Sequence, residues 1–146
     1  MKRILIATDG SDGARTAVDE GIALAYEVGA DVVFVTVRHD APLLGDEIYQ
    51  RRLTTQLAHA REALDEAGSE AERYGVPCQT DILEGDPARC IAEAARFHGA
   101  DLVVVGSRGH GGLMSAVLGS VSRQLLTESP VPVMVVRAPV PAGTAA

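Results

Sequence analysis

The chain has 146 residues, a net charge of −7 and 47% apolar residues. This length suits one compact domain with a single core. The excess of acidic over basic residues argues against nucleic-acid binding, which needs a basic face. No apolar run approaches the ~20 residues needed to span a bilayer, and the N-terminus has no signal-peptide pattern. We therefore expect a cytoplasmic protein that binds neither nucleic acid nor membrane.

The first half of the chain alternates apolar runs with helical patterns. A strand is predicted over 2–8, followed by a helix that Ser11 caps and Gly29 ends. Residues 31–37 form a nearly continuous apolar run, which is typical of a strand covered on both faces. A loop over 39–46 then leads into a long amphipathic helix that reaches about Tyr74.

The second half repeats the alternation with shorter elements. A weaker strand is predicted over 79–83, and Asp86 with Pro87 begins a helix that stops at Gly99. A fourth strand over 101–105 follows. A short helix then reaches about Ser129, and a fifth strand covers 131–136. We expect one domain over 1–137 and a disordered tail over 138–146, where no periodicity is visible.

Strands that alternate with helices predict an α/β fold with a doubly wound, five-stranded parallel sheet. In such sheets ligands bind beyond the carboxyl ends of the strands, where the strand order reverses. The residues predicted at this rim are Thr8, Asp9, Thr36, Val37 and Gly106.

A glycine-rich stretch over 106–122 follows the fourth strand and leads into the last helix. Four of its first seven residues are glycines, which let the backbone approach a ligand closely. Gly119 and Ser120 can open the helix, whose N–H groups and dipole favour phosphate. Ser120 and Ser122 add hydroxyl donors. The stretch predicts a loop that wraps a polyphosphate, although a plain surface loop is the alternative.

The stretch differs from the two commonest phosphate-binding motifs. A P-loop ends in Gly-Lys-Ser/Thr, whereas no lysine precedes Ser120 and Lys2 is the only lysine in the chain. The dinucleotide fingerprint also fails, because Met114 stands where a third small residue is needed. Phosphate must therefore be held by backbone N–H groups, arginine or a metal. Arg108 is either solvated or paired with phosphate.

Three segments together resemble the universal stress protein family. The spacing Gly106-x2-Gly109-x9-Gly119-Ser120 is similar to that family's nucleotide-binding motif. Residues 4–11, ILIATDGS, resemble its first strand and aspartate, and residues 130–136, PVPVMVV, resemble its last strand. Ala7 departs from the pattern, since some members carry a proline there. The resemblance covers nearly the whole chain apart from the tail.

This resemblance implies an adenine-nucleotide alpha-hydrolase-like fold with strand order 3-2-1-4-5, and it implies bound ATP. Asp9 would contact the ribose hydroxyls, and the backbone of Val37 would meet adenine. The glycines would pass under the ribose and phosphates, and the start of the last helix would hold the phosphates. A homodimer formed through the last strand, 131–136, is implied too. The complete set of expected cofactor-binding residues is Thr8, Asp9, Val37, Gly106, Arg108, Gly109, Gly119, Ser120, Val121 and Ser122.

Three functions remain open on the sequence. The first is an ATP-binding stress-response or regulatory protein. The second is a slow ATP hydrolase or phosphotransferase, with Mg²⁺ or Mn²⁺ carried by the nucleotide because no site lysine offsets its charge. No catalytic residue can be named for it. The third is a nucleotide-free dimeric interaction module, in which the glycine-rich loop would serve partners. For Asp9 itself, the alternative to ribose contact is a turn or cap residue that helps to start the first helix.

Overall fold

The computed structural model describes residues 1–38, 46–107 and 119–137. Strands and helices alternate within these ranges. The elements are β1 (Arg3–Ala7), α1 (Asp12–Val28), β2 (Asp31–Arg38), α2 (Asp46–Arg73), β3 (Cys78–Glu84), α3 (Pro87–Phe97), β4 (Leu102–Gly106), α4 (Ser120–Glu128) and β5 (Val133–Val136). None of the helices in these ranges has the length and apolar character to cross a membrane. The tail over 138–146, predicted to be disordered, lies outside them.

The five strands form one parallel sheet in the order β3-β2-β1-β4-β5, which confirms the predicted fold class. β1 lies at the centre, with Ile4 opposite Val32 on β2 and Leu102 on β4. The chain order runs outwards from β1 in both directions. The switch point, where such folds bind ligands, therefore lies between the carboxyl ends of β1 and β4.

Two hydrophobic layers sandwich the sheet because both of its faces are apolar. Ile4, Ile6 and Phe34 face α1 and α2. Leu5 and Val33 face α3 and α4. The helices contribute mainly alanine to both layers, which lets them lie close to the strands.

The helix termini follow the predicted capping residues. The Ser11 hydroxyl accepts a hydrogen bond from the Ala14 N–H at 3.2 Å, and Gly29 ends α1 with a φ of 71°. The Asp86 carboxylate caps α3 by accepting from the Arg89 N–H at 3.1 Å. The Ser11 and Asp86 caps were predictable because each satisfies an N–H group that the first helical turn leaves without a partner, and Gly29 because glycine adopts the left-handed conformation at a helix end without strain.

The last strand is shorter than predicted, since β5 begins at Val133 rather than at Val131. The Ser129 hydroxyl donates to the Val131 carbonyl at 2.6 Å and accepts from the Val131 N–H at 3.2 Å. Pro132 has no N–H for a ladder bond. A local turn therefore takes the place of the first two expected strand residues.

Gly21 sets the distance between α1 and the sheet. A Cβ atom at this position would lie 2.4 Å from Cδ1 and 2.9 Å from Cγ1 of Ile6, a side chain that is fully buried. Gly68 on α2 has open space around the same point. Gly21 is therefore required for the close packing of α1 on the sheet, whereas Gly68 has no such packing role.

We predict opposite effects for alanine at these two positions. Gly21→Ala should lower the free energy of unfolding by about 1–3 kcal/mol, because the overpacked methyl outweighs the gain in helix propensity. Gly68→Ala should raise it by up to about 1 kcal/mol. Urea denaturation measures both, and adding Ile6→Val should recover part of the Gly21→Ala loss. A Gly21→Ala protein as stable as the parent would contradict this packing.

Candidate functional site

The predicted rim residues meet at the carboxyl edge of the sheet. Thr8 and Asp9 directly follow β1, Val37 lies at the end of β2, and Gly106 ends β4. The Thr8 N–H donates to the Val35 carbonyl at 2.9 Å and so extends the ladder between β1 and β2 by one step. Thr8 and Thr36 are both buried, so this part of the rim lies below the protein surface.

Two polar side chains shape the turn between β1 and α1. The Asp9 carboxylate accepts from the Ser11 N–H at 2.9 Å, and the Thr8 hydroxyl accepts from the Gly10 N–H at 3.2 Å. Gly10 has a φ of 80°, in the left-handed region that favours glycine. Asp9 thus takes part in starting α1. A carboxylate has about four acceptor positions, so this bond is compatible with a ligand contact from the same side chain.

Three hydrogen bonds fix the end of β4, one of them to β5 and two to the start of α4. The Ser107 N–H donates to the Val136 carbonyl at 2.8 Å, and the Gly119 N–H donates to the Ser107 carbonyl at 2.6 Å. The Ser122 hydroxyl donates to the Gly106 carbonyl at 2.7 Å. Both ends of the glycine-rich stretch are therefore held together. Arg108 and Gly109 lie outside the described residues.

The N-terminus of α4 meets the chemical requirement for an anion site. Gly119 occupies the N-cap position and has no side chain to cap the helix. The Arg123 N–H makes the first intrahelical bond, to the Gly119 carbonyl at 3.0 Å. The N–H groups of the three preceding residues, Ser120, Val121 and Ser122, consequently lack intrahelical partners. Such groups and the helix dipole attract negative charge.

The two serines of this turn are not equivalent. Ser122 is buried, at 3% exposure, and its hydroxyl proton goes to Gly106. Ser120 is exposed. The structure therefore gives the Ser122 hydroxyl, predicted as a ligand donor, a partner inside the protein. Its backbone N–H remains part of the helix N-terminus.

An ion pair that the sequence does not predict joins β2 and β3 beside Val37. Arg38 lies opposite Glu84 in the strand register, and the Arg38 guanidinium contacts the Glu84 carboxylate. The Arg38 side chain is only 9% exposed, and its carbonyl accepts from the Gly85 N–H at 3.0 Å. These bonds fix the backbone at Val37. Only the three-dimensional register reveals the pair, because the two residues are distant in sequence.

An acidic cleft between α1 and α2 begins at Thr8 and Gly10. Burial raises the pKa of Asp19, and the nearby Glu70 carboxylate, together with two other acidic residues, raises it further. Arg15, which pairs with Glu66 at 2.7 Å, is the cation on its lining. The cleft repels anions, so a polyphosphate at the rim is favoured on the α4 side.

A dedicated metal site is not formed by side chains in the described ranges. Within residues 1–38, 46–107 and 119–137, no three His, Cys, Asp or Glu side chains come close enough to hold an ion.

Comparison with known proteins identifies the family. The model of the universal stress protein family matches residues 1–137, and the chain therefore belongs to that family. A universal stress protein of Thermus aquaticus is 38% identical over 139 residues, covering 94% of this chain and 99% of its own. One from Methanocaldococcus jannaschii is 36% identical over 141 residues, covering 94% of this chain and 83% of its own.

Solved structures share the fold over nearly the whole chain. The universal stress protein UspA from Lactobacillus plantarum has a TM-score of 0.85 at 26% identity, over 93% of this chain and 97% of its own. An Arabidopsis thaliana family protein with bound AMP has a TM-score of 0.75 at 18% identity, covering 98% and 97%. A universal stress protein from Archaeoglobus fulgidus in complex with dAMP has a TM-score of 0.72 at 23% identity, covering 92% and 97%.

We predict that Ser122→Ala destabilises the protein by about 1–2 kcal/mol, because it removes the buried donor to the Gly106 carbonyl. Ser120→Ala is the matched control and should change stability by less than about 0.5 kcal/mol, since that side chain is exposed. Chemical denaturation of both variants measures the difference. Equal stabilities would show that the bond from Ser122 does not hold α4 to β4.

Proposed function

We propose that this universal stress protein binds ATP at the carboxyl edge of its sheet and acts as a stress-response regulator. The observation that carries the proposal is the N-terminus of α4, which no side chain of the described residues caps and which is held against the ends of β4 and β5. It lies on the same sheet edge as the carboxylate of Asp9 at the end of the neighbouring β1. AMP and dAMP in proteins of the same fold support an adenine nucleotide as the ligand class.

Each part of the nucleotide would meet one part of the rim. The Asp9 carboxylate would accept hydrogen bonds from the ribose hydroxyls, and the main chain of Val37 would contact the edge of adenine. The N–H groups at the start of α4 and the hydroxyl of Ser120 would bind phosphate oxygens. Gly106 would leave room beneath the ribose. Gly109 would pass under the ribose and phosphates, and Arg108 would pair with a phosphate; both lie outside the described residues.

The negative charge of ATP must be offset by more than the side chains of the described residues. ATP brings about four negative charges to a protein whose own net charge is −7. A helix N-terminus offers only about half a positive charge. We propose that Mg²⁺ or Mn²⁺ enters with the triphosphate, in the way Mg²⁺ commonly joins phosphate oxygens to one or two protein oxygens. EDTA should then weaken ATP binding more than AMP binding.

The site is better suited to binding ATP than to hydrolysing it. Hydrolysis needs a group that orients the attacking water. Asp9 is a carboxylate at the described rim, and in the proposed arrangement it binds the ribose hydroxyls rather than the attacking water. ATP at a hundred times its Kd would add about 2.7 kcal/mol to stability. Binding alone can therefore select a conformation or a partner.

The outer edge of β5 suits a second copy of the chain. The Pro132 and Val136 carbonyls accept bonds from β4, so the main-chain groups of the intervening Val133 and Val135 point outwards. The side chains of β5 before Val136 are only partly buried. An apolar edge with unpaired backbone groups is a liability unless it is covered. We propose a homodimer that pairs these edges.

The ATP site is tested with Gly119→Val. Gly119 has φ −65° and ψ 160°, an extended conformation that valine adopts readily, so the fold should persist. The side chain would occupy the space phosphate must approach, and we predict at least a tenfold loss of ATP affinity, about 1.4 kcal/mol. Calorimetry with Mg-ATP and assay of co-purified nucleotide measure it.

Thr127→Val, on the exposed end of the same helix, is the control and should bind ATP normally. If Gly119→Val bound ATP with the affinity of the parent protein, the phosphates could not bind at the N-terminus of α4. Release of phosphate by the parent protein well above the Gly119→Val level would instead support the hydrolase alternative.

Dimerisation is tested with Val135→Pro. Proline removes an N–H that points away from β4, so the ladder inside the subunit is kept while the outer edge loses a donor. We predict a monomer by analytical ultracentrifugation at concentrations where the parent protein is dimeric. A dimer of unchanged affinity would exclude pairing through this edge.

A further inference from the structure

The exposed side of α4 carries a groove that starts at the first residue of the helix. Four polar residues line this open space of about 390 Å³, namely Ser120, Arg123, Gln124 and Thr127. Their spacing of three, four and seven residues from the first places them on one side of the helix. Ser122 and Leu125, on the opposite side, are buried against the sheet layer. The groove therefore runs from the N-terminus of α4 along the side that is turned away from the sheet.

Arg123 can bring its guanidinium to the start of the helix. Helical side chains lean towards the N-terminus, so a residue covers the turn that precedes its own Cα atom. Arg123 lies three residues after Ser120, which is about 4.5 Å along the helix axis. An arginine side chain is longer than this distance. A phosphate bound to the N–H groups of the first turn would therefore lie within reach of the guanidinium.

The charge of Arg123 adds to that of the helix N-terminus. Arg123 is the basic residue of α4 itself. Arg137, directly after β5, is a second arginine at this end of the rim, but it does not line the groove. A helix N-terminus offers only about half a positive charge. The guanidinium supplies a full charge and a planar fork of donors that suits phosphate oxygens.

The position of the groove decides which phosphate it would bind. In the proposed site the ribose lies at Asp9, and the phosphates extend from there to the start of α4. The Ser122 side of α4 is turned towards β4, and the groove lies on the far side of the helix. The end of the phosphate chain is thus the part that reaches the groove. AMP carries only the phosphate next to the ribose, so it would end before Arg123.

We infer that Arg123 makes the site selective for the triphosphate, with its guanidinium donating hydrogen bonds to the terminal phosphate of ATP. This inference rests on the proposed function. ATP would gain charge-assisted hydrogen bonds that AMP cannot form. The occupancy of the site would then follow the concentration of ATP rather than that of all adenine nucleotides, which suits a regulator.

The experiment compares ATP with AMP in calorimetric titrations of the full chain with Mg²⁺ present. The parent protein should bind ATP at least about tenfold more tightly than AMP. Arg123→Gln removes the charge and should lower the ATP affinity about tenfold, while the AMP affinity stays within about twofold of the parent value. Arg123→Lys keeps the charge without the planar fork and should recover part of the ATP affinity.

Arg96→Gln is the matched control. It removes the same charge from an exposed arginine in the last turn of α3, at the amino edge of the sheet. Both of its affinities should stay within about twofold of the parent values. A second readout is the effect of salt, since NaCl should weaken ATP binding less in Arg123→Gln than in the parent protein.

The outcomes separate the role of Arg123 from the existence of the site. A parent protein that binds ATP and AMP equally, or a folded Arg123→Gln variant that keeps the parent's ratio of affinities, would overturn the role of Arg123 while leaving nucleotide binding in place. Equal losses of ATP and AMP affinity in Arg123→Gln would also overturn it, because the arginine would then act on both nucleotides alike. A parent protein that binds neither nucleotide would instead overturn the proposed function.

Discussion

The attachment of α4 to the carboxyl end of β4 is the constraint on which the candidate site depends. The Ser122 hydroxyl bonds to the Gly106 carbonyl, and Ser107 links Gly119 to Val136. Through these bonds a helix N-terminus is fixed beside two strand ends. The free energy of holding the N–H groups in place is thus supplied by folding, so a phosphate group would meet donors that are already oriented.

This arrangement suits an acidic chain with one lysine at its second residue. The N-terminus of α4 contributes positive potential at the rim through its backbone dipoles, while the carboxylates of the α1–α2 cleft make the neighbouring surface repulsive to anions. The direction of a bound polyphosphate would follow from that contrast. The ribose would then fall near Asp9 and the base near Val37.

Much of this organisation was predictable from the sequence. The alternation of apolar runs with helical patterns predicts the parallel sheet, and the chemistry of Ser11, Gly29 and Asp86 predicts helix ends, because local bonds decide them. The order of the strands came from the family resemblance, and the sheet confirms it.

Features that depend on distant partners were not predictable in the same way. The proton of the Ser122 hydroxyl goes to a strand carbonyl 16 residues away. Arg38 contacts Glu84 only when β2 and β3 are paired in register.

In the proposed site, backbone N–H groups at the start of α4 bind the phosphates. The most direct measurement of this contact is a titration of the ¹⁵N-labelled protein with Mg-ATP, observed through its amide resonances. We predict large shifts and slowed hydrogen exchange at the amides of Ser120, Val121 and Ser122. Saturable ATP binding that leaves these three amides unchanged would contradict this binding mode.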